Sequence, residues 1–156
     1  MTNTTISDFA LKKRVGIIGG NLPDAISLKN AERMGELIAK NGYILVNGGM
    51  KGVMEASARG AKSVNGLVIG ILPGKARDDS NSYVDIAIPT GLGYMRNPLV
   101  VLNSDILVAI DGSHGTLSEI AYTQIYNPCR YASACSLVSR VLLLNRPRKR
   151  CQCSSN

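Results

Sequence analysis

Apolar residues along this chain follow two periods, and the alternation between them sets the expected fold. Val15–Ile18, Tyr43–Val46, Leu67–Leu72, Val84–Ile88 and Ile106–Ile110 are short apolar runs rich in β-branched residues. Such runs suit strands buried on both faces of a parallel sheet. Between them the spacing becomes helical. Leu28, Ala31, Gly35 and Ile38 mark one face, with Met34 and Leu37 beside it, and Lys29, Glu32, Arg33, Glu36 and Lys40 mark the wet side. Asn41-Gly42 supplies the expected C-cap. A small-residue helix is expected from about Gly52 to Val64, where Ala56, Gly60 and Ala61 allow close packing on the sheet. Another is expected to start near Asn97-Pro98, with Asn as N-cap and Pro in the first helical position. In DGSHGTLSEIAY, Asp111 to Tyr122, the pattern gives a tight glycine turn and then a helix opened by Thr116. The face of that helix is expected to be Leu117, Ile120, Ala121, Gln124 and Ile125.

Strands alternating with helices over short links imply right-handed crossovers. The expected architecture is a single α/β domain: a doubly wound, mostly parallel, Rossmann-like sheet flanked by helices. Ligands of such sheets sit at the carboxyl ends of strands, near a switch in strand order. Three glycine turns fall there: Gly19-Gly20, Gly48-Gly49 and Gly112 to Gly115. At the last, free N–H groups and the positive end of a helix dipole favour a phosphate. The charged loop Pro73–Ser82 is long enough to act as a mobile flap. Its Lys75 and Arg77 suit either closure over a phosphate or plain solvation.

Composition narrows the class. The chain has 156 residues, enough for one core, and only 4% are aromatic, so that core is aliphatic. No apolar run reaches bilayer length. The start, MTNTTISDFALKKR, lacks the apolar stretch of a secretory signal. The expectation is a soluble cytoplasmic protein. The net charge of +7 is unevenly spread. All eleven acids lie at or before Glu119, while six of eighteen basic residues follow Asn127. Residues 1–127 are therefore nearly neutral, which argues against nucleic acid as the partner of the body. The expected organisation is an extension at 1–13, the sheet domain at 14–127 and a divergent basic tail at 128–156, with a possible last strand at 137–144. The tail holds all four cysteines, Cys129, Cys135, Cys151 and Cys153, without common zinc spacing. Its RPRKR run fits a disordered basic end or a nucleic-acid contact. The abrupt loss of acids also fits a tail outside the ancestral reading frame.

Three stretches carry a family likeness. GGMKGVMEASARGA (Gly48–Ala61), TGLGYMRN (Thr90–Asn97) and DGSHGTLSE (Asp111–Glu119) resemble the LOG-like, or SLOG, Rossmann superfamily, whose members often bear the label "possible lysine decarboxylase". Within it, the chain is most similar to the branch of molybdenum-cofactor carrier proteins. The LOG enzymes hydrolyse the N-glycosidic bond of N6-modified adenosine monophosphates, releasing the base and ribose 5-phosphate, and their signature reads PGGxGTxxE. At the matching positions this chain has Asp111, Gly112, Ser113, Gly115, Thr116 and Glu119. The resemblance makes Arg96 the catalytic arginine; the lysine after it is Asn97 here, and the histidine two before it is Tyr94. It implies phosphate binding, and assembly as a homo-oligomer through surface helices.

The candidate catalytic residues are therefore Arg96 and Glu119. The candidate ligand-binding residues are Gly19, Gly20, Gly48, Gly49, Gly52, Gly91, Asn97, Gly112, Ser113, His114, Gly115 and Thr116. Glu119 suits water activation at a ribose C1′. Equally, Thr116-x-x-Glu119 is a capping box, with Glu119 bonding back to the Thr116 N–H. Arg96 suits a bidentate phosphate contact, or a surface position before a helix. Glu55 reads as structural, near a helix start. None of this chemistry calls for a metal or an organic cofactor. Two functions stay open: a phosphoribohydrolase acting on a nucleoside monophosphate, and a non-catalytic carrier or sensor of a phosphate-bearing ligand such as the molybdenum cofactor.

Overall fold

The computed structural model describes residues 12–126 and the backbone of 131–133. Most of the 1–13 extension, the strand expected at 137–144, the cysteines and the RPRKR run lie outside the described residues.

The elements are β1 (Arg14–Gly19), α1 (Ala25–Lys40), β2 (Ile44–Asn47), α2 (Val53–Lys62), β3 (Val68–Leu72), β4 (Ile86–Pro89), α3 (Asn97–Leu102), β5 (Ile106–Ile110), α4 (His114–Tyr126) and β6 (Tyr131–Ser133). Short 3-10 helices at Arg77–Asp79 and Gly93–Arg96 precede β4 and α3. All strand pairs are parallel, in the order β4-β3-β2-β1-β5-β6. β1 is thus the switch point, flanked by β2 on one side and β5 on the other. The fold is the doubly wound α/β sheet the pattern predicts. β6 is an addition, a three-residue strand beside β5 that is too short to leave a period in the sequence.

Strand alternation sends side chains to two cores. Val15, Ile17, Leu45, Val68, Val108 and Ile110 pack with α1 and α2. Ile18, Val46, Ile71, Leu107 and Ala109 pack with Val100 and Val101 of α3, and with Ile120 and Tyr122 of α4. Val15, Ile17 and Ile18 of β1 and Leu107 to Ile110 of β5 divide between the two layers, as expected of strands covered on both faces.

α1 is held at both ends. The Asp24 carboxylate accepts from the Ser27 N–H at 2.6 Å, and Asn41 closes the far end before Gly42 at φ 74. Against α1 lies α2, and here glycine serves a close approach. A Cβ at Gly35 would collide with the Ser57 carbonyl, and one at Gly60 with the Glu32 carbonyl. Gly60 thus fits α2 to α1 rather than to the sheet. Arg59 and Glu32 lock the crossing with two hydrogen bonds of 3.0 and 3.1 Å.

Three local expectations are corrected. The fourth strand begins at Ile86, because Asn81 turns the preceding chain inward: its side chain donates to the Gly49 and Met50 carbonyls and accepts from the Tyr83 N–H. Asn97 is not the N-cap of α3. The Gly93–Arg96 turn runs straight into the helix with αR angles, so no bare first turn remains for Asn97 to cap. Pro98 does stand in the first turn. Finally, α4 begins at His114, two residues before Thr116, and the expected face is largely the wrong one. It buries Thr116, Glu119 and Thr123, while Leu117 is 62% and Ile125 68% exposed, and Ala121 and Gln124 face outward. Of the five expected residues, only Ile120 packs on the core.

Candidate functional site

Beyond β5 the chain passes through Asp111 at φ 54 and Gly112 at φ 132. Left-handed angles outside glycine are strained and persist where the surroundings enforce them. A Cβ at Gly112 would collide with the Thr116 side chain, so α4 can begin this close to the strand only over a glycine. The Leu117 N–H donates to the Ser113 carbonyl at 2.9 Å. The N–H groups of residues 114–116 therefore have no carbonyl within the helix to meet. Gly20, at the end of β1, lies against this turn: a Cβ there would sit 3.5 Å from Gly112 Cα and 3.7 Å from Asp111 Oδ2. Ser113 and His114 are exposed.

Asn47 and Asn81, neither of them among the expected site residues, shape the next turn along the edge. Asn47 is fully buried. Its Oδ1 accepts from the Gly49 N–H at 2.8 Å, and its Nδ2 donates to the Met54 carbonyl at 2.9 Å. Asn81 holds the Gly49 and Met50 carbonyls from the other side. An asparagine directly before a glycine pair is the signal that marks such a side-chain-closed turn. At the head of α2 the Val53 N–H donates to the Gly20 carbonyl at 3.0 Å, and Gly52 sits tight against Gly20 and Asn21. A cleft of about 330 Å³ opens beside it, lined among others by Asn21, Leu22, Met50, Lys51 and Glu55.

Arg96 and Glu119 meet behind these turns. Both are buried, with side chains 10% and 8% exposed, and Arg96 Nη1 lies 3.5 Å from Glu119 Oε1. Arg96 Nη1 also donates to Asn97 Oδ1, and its Nη2 fills the space where Gly48 lacks a side chain. Asn97 passes the connection on: its Nδ2 donates to the Gly115 carbonyl at 3.2 Å and to Ser118 Oγ at 2.9 Å. One amide therefore joins the buried cation to the first turn of α4. Arg96 Nε has no hydrogen-bond partner, the one buried side-chain nitrogen or oxygen so placed among the described residues.

The electrostatics follow from burial. Burial pushes the Glu119 carboxyl up to about 7, and the attraction of Arg96 only partly opposes it. Burial also pushes the Arg96 guanidinium down, against the pull of Glu119 and Tyr94. The capping-box reading of Glu119 is overturned. Thr116 is the third residue of α4 rather than its cap, and the Glu119 carboxylate meets Arg96.

Gly20, Gly48, Asn97, Gly112, Gly115, Thr116, Arg96 and Glu119 therefore form one connected group. Gly19 is a packing glycine, wedged against the Ile110 carbonyl and Val53. Gly49 packs on Leu72, and Gly91 lies against Lys75 of the β3–β4 loop. Lys75 and Arg77 are exposed.

The model of the SLOG cluster4 family matches residues 12–128. The chain belongs to that family. A family resemblance of the same kind extends to an uncharacterised protein of Archaeoglobus fulgidus, 50% identical over 69% of this chain and 71% of that one. Among solved structures, the molybdenum cofactor binding protein of Rippkaea orientalis is 40% identical, with a TM-score of 0.76 over 83% of this chain and 84% of its own. The molybdenum cofactor carrier protein of Chlamydomonas reinhardtii is 30% identical, with a TM-score of 0.69 over 85% of this chain and 98% of its own. Family and neighbours agree on a Rossmann-like scaffold suited to binding a ligand. Among the described residues no helix is long and apolar enough to cross a membrane.

Proposed function

We propose that this protein binds a small phosphate-bearing, nucleotide-like ligand at the carboxyl edge of its sheet and carries it unchanged. The observation that carries this reading is the buried Arg96 with an unpartnered Nε, tied through Asn97 to the amino end of α4. A buried guanidinium with a spare donor, linked through one amide to the first turn of a helix with free N–H groups, suits an anion. Gly20, Gly112 and the exposed Ser113 and His114 form the mouth of this anion seat, and the neighbouring cleft gives the body of a ligand room. The likeness to two molybdenum cofactor proteins supports a phosphorylated pterin as one such ligand.

A second reading is hydrolysis of a nucleoside 5′-monophosphate at its N-glycosidic bond. One observation favours it: a carboxyl titrating near 7 suits general acid–base work at neutral pH. Native mass spectrometry and a thermal-shift series with adenosine monophosphate, guanosine monophosphate and molybdenum cofactor separate the two. Retention of an intact ligand is expected, with stabilisation of about 2.7 kcal/mol at a hundredfold excess over Kd. Arg96→Met should abolish it. Ribose 5-phosphate released above a Glu119→Ala background would replace the carrier by the hydrolase.

We further propose that copies of the chain associate through α3 and α4. Leu102, Leu117, Ile125 and Tyr126 are each 46% exposed or more. Neither helix places a lysine, an arginine or an exposed carboxylate on that surface.

A further inference from the structure

We propose that Glu119 is an internal counter-ion which guards the anion seat, so that an anionic ligand binds by taking the place of the Glu119 carboxylate on Arg96. This rests on the anion-seat reading above and adds how the seat is controlled. The Arg96–Glu119 contact is single and long, 3.5 Å from Nη1 to Oε1. A well-made arginine–carboxylate pair is bidentate and shorter. Here Nη1 is shared with Asn97, and Nε is buried without a hydrogen-bond partner. Glu119 thus neutralises the guanidinium without using up its donors. An incoming phosphoryl or sulfate group that accepts from Nε brings a second negative charge to a site only 8% exposed on the carboxylate side. Two anions this close in a dry site cannot both stay charged. The carboxyl gives way by taking a proton.

Binding and protonation are then linked. Glu119 is already held near 7 by burial, so the exchange takes place around neutral pH. Below that point the carboxyl is neutral and the seat is open. Above it, each bound anion draws one proton, and affinity falls by up to about tenfold per pH unit. The ionisable groups acting on the pair are each other and Tyr94. At the mouth stand the exposed His114 and Asp111. Because His114 stands at the mouth, the pH series is run on the parent protein and on a His114→Gln protein.

The experiment is calorimetric titration with inorganic sulfate, whose own charge is constant from pH 6 to 9, and with ribose 5-phosphate at pH 8. In the His114→Gln protein, sulfate affinity should be level up to about pH 7 and then fall about tenfold per unit. At pH 8, titrations in two buffers of different ionisation enthalpy should show nearly one proton taken up. Adding Glu119→Gln should flatten the profile and tighten binding at pH 8 about tenfold. Binding that occurs but is level in pH, or a Glu119→Gln profile that still falls, overturns the exchange and leaves the seat standing. Absence of anion binding by the parent protein at every pH removes the seat, and the exchange with it. The proton count on the parent protein decides the matter even if the Glu119→Gln protein fails to fold.

Discussion

Burying Glu119 beside a poorly matched arginine has a cost that shows in stability. Its folded value, about 7, lies above the ordinary 4.5, so the folded protein holds this proton more tightly than the unfolded chain. The favourable contribution is complete below about 4.5 and is lost as pH rises through about 7. At pH 8 the loss is on the order of 3 kcal/mol. Glu119→Gln, which mimics the protonated form, should therefore be more stable than the parent at pH 8 and similar to it at pH 4. Urea unfolding at both pH values checks this; equal stability of the two proteins at pH 8 would contradict it. Arg96 and Glu119 were legible as a candidate pair through the family motif. Their shared burial was not, because nothing in the local pattern tells that residues twenty-three apart are turned toward one another. Asn97 stood among the candidates, but its contact with Arg96 was not legible. Asn-Pro ordinarily marks a helix start, and only the 3-10 turn ahead of it frees the side chain to brace Arg96 instead.

Among elements, the α1–α2 crossing and α4 show the two ways in which a helix face is decided. For α1 the apolar stripe and the buried stripe coincide: Ala31, Met34, Gly35 and Ile38 lie inside. Where two helices touch backbone to backbone, the glycines allow it. Gly60→Ala would drive a methyl group into the Glu32 carbonyl, which cannot retreat without bending α1. The expected cost is about 3 kcal/mol, read as a clear drop in Tm, whereas Ala58→Gly, which loses helix propensity and one buried methyl group, should cost about 2 kcal/mol. A Gly60→Ala protein melting with the parent would show that the helices can part freely. On α4 the stripes diverge. Thr116, Glu119 and Thr123 face inward, where Glu119 meets Arg96 and Thr116 packs on Gly112, and apolar Leu117 and Ile125 are left outside. Spacing alone assigns the apolar side to the core. It fails here because the inward face is occupied by polar groups that bond one another, such as Thr123 Oγ1 to the Glu119 carbonyl at 2.8 Å.

On the scale of the whole molecule, the parallel, doubly wound sheet was legible from the alternation of strands and helices, and the glycine turns were legible as lying at its carboxyl edge. The outer surface was not, since apolar residues on a helix look alike whether they meet a sheet or a second copy. The proposed association predicts that Leu117→Glu lowers the sedimentation coefficient to that of a single chain without lowering Tm below the parent's monomeric form. A parent protein that sediments as one chain would remove the proposal. The strand order has one more consequence, and it concerns time. β1 pairs with β5 across the middle of the sheet, with Asp105 bonding the Arg14 N–H from ninety-one residues away. Contacts so distant along the chain form slowly. The half from β1 to β4 is synthesised before β5 exists, so Gly20 must wait for Gly112 to arrive. Competence to hold a ligand should then return in the last phase of refolding, after most helical signal is restored. Stopped-flow refolding followed by both circular dichroism and ligand fluorescence would show the two curves separate, and coincident curves would refute it.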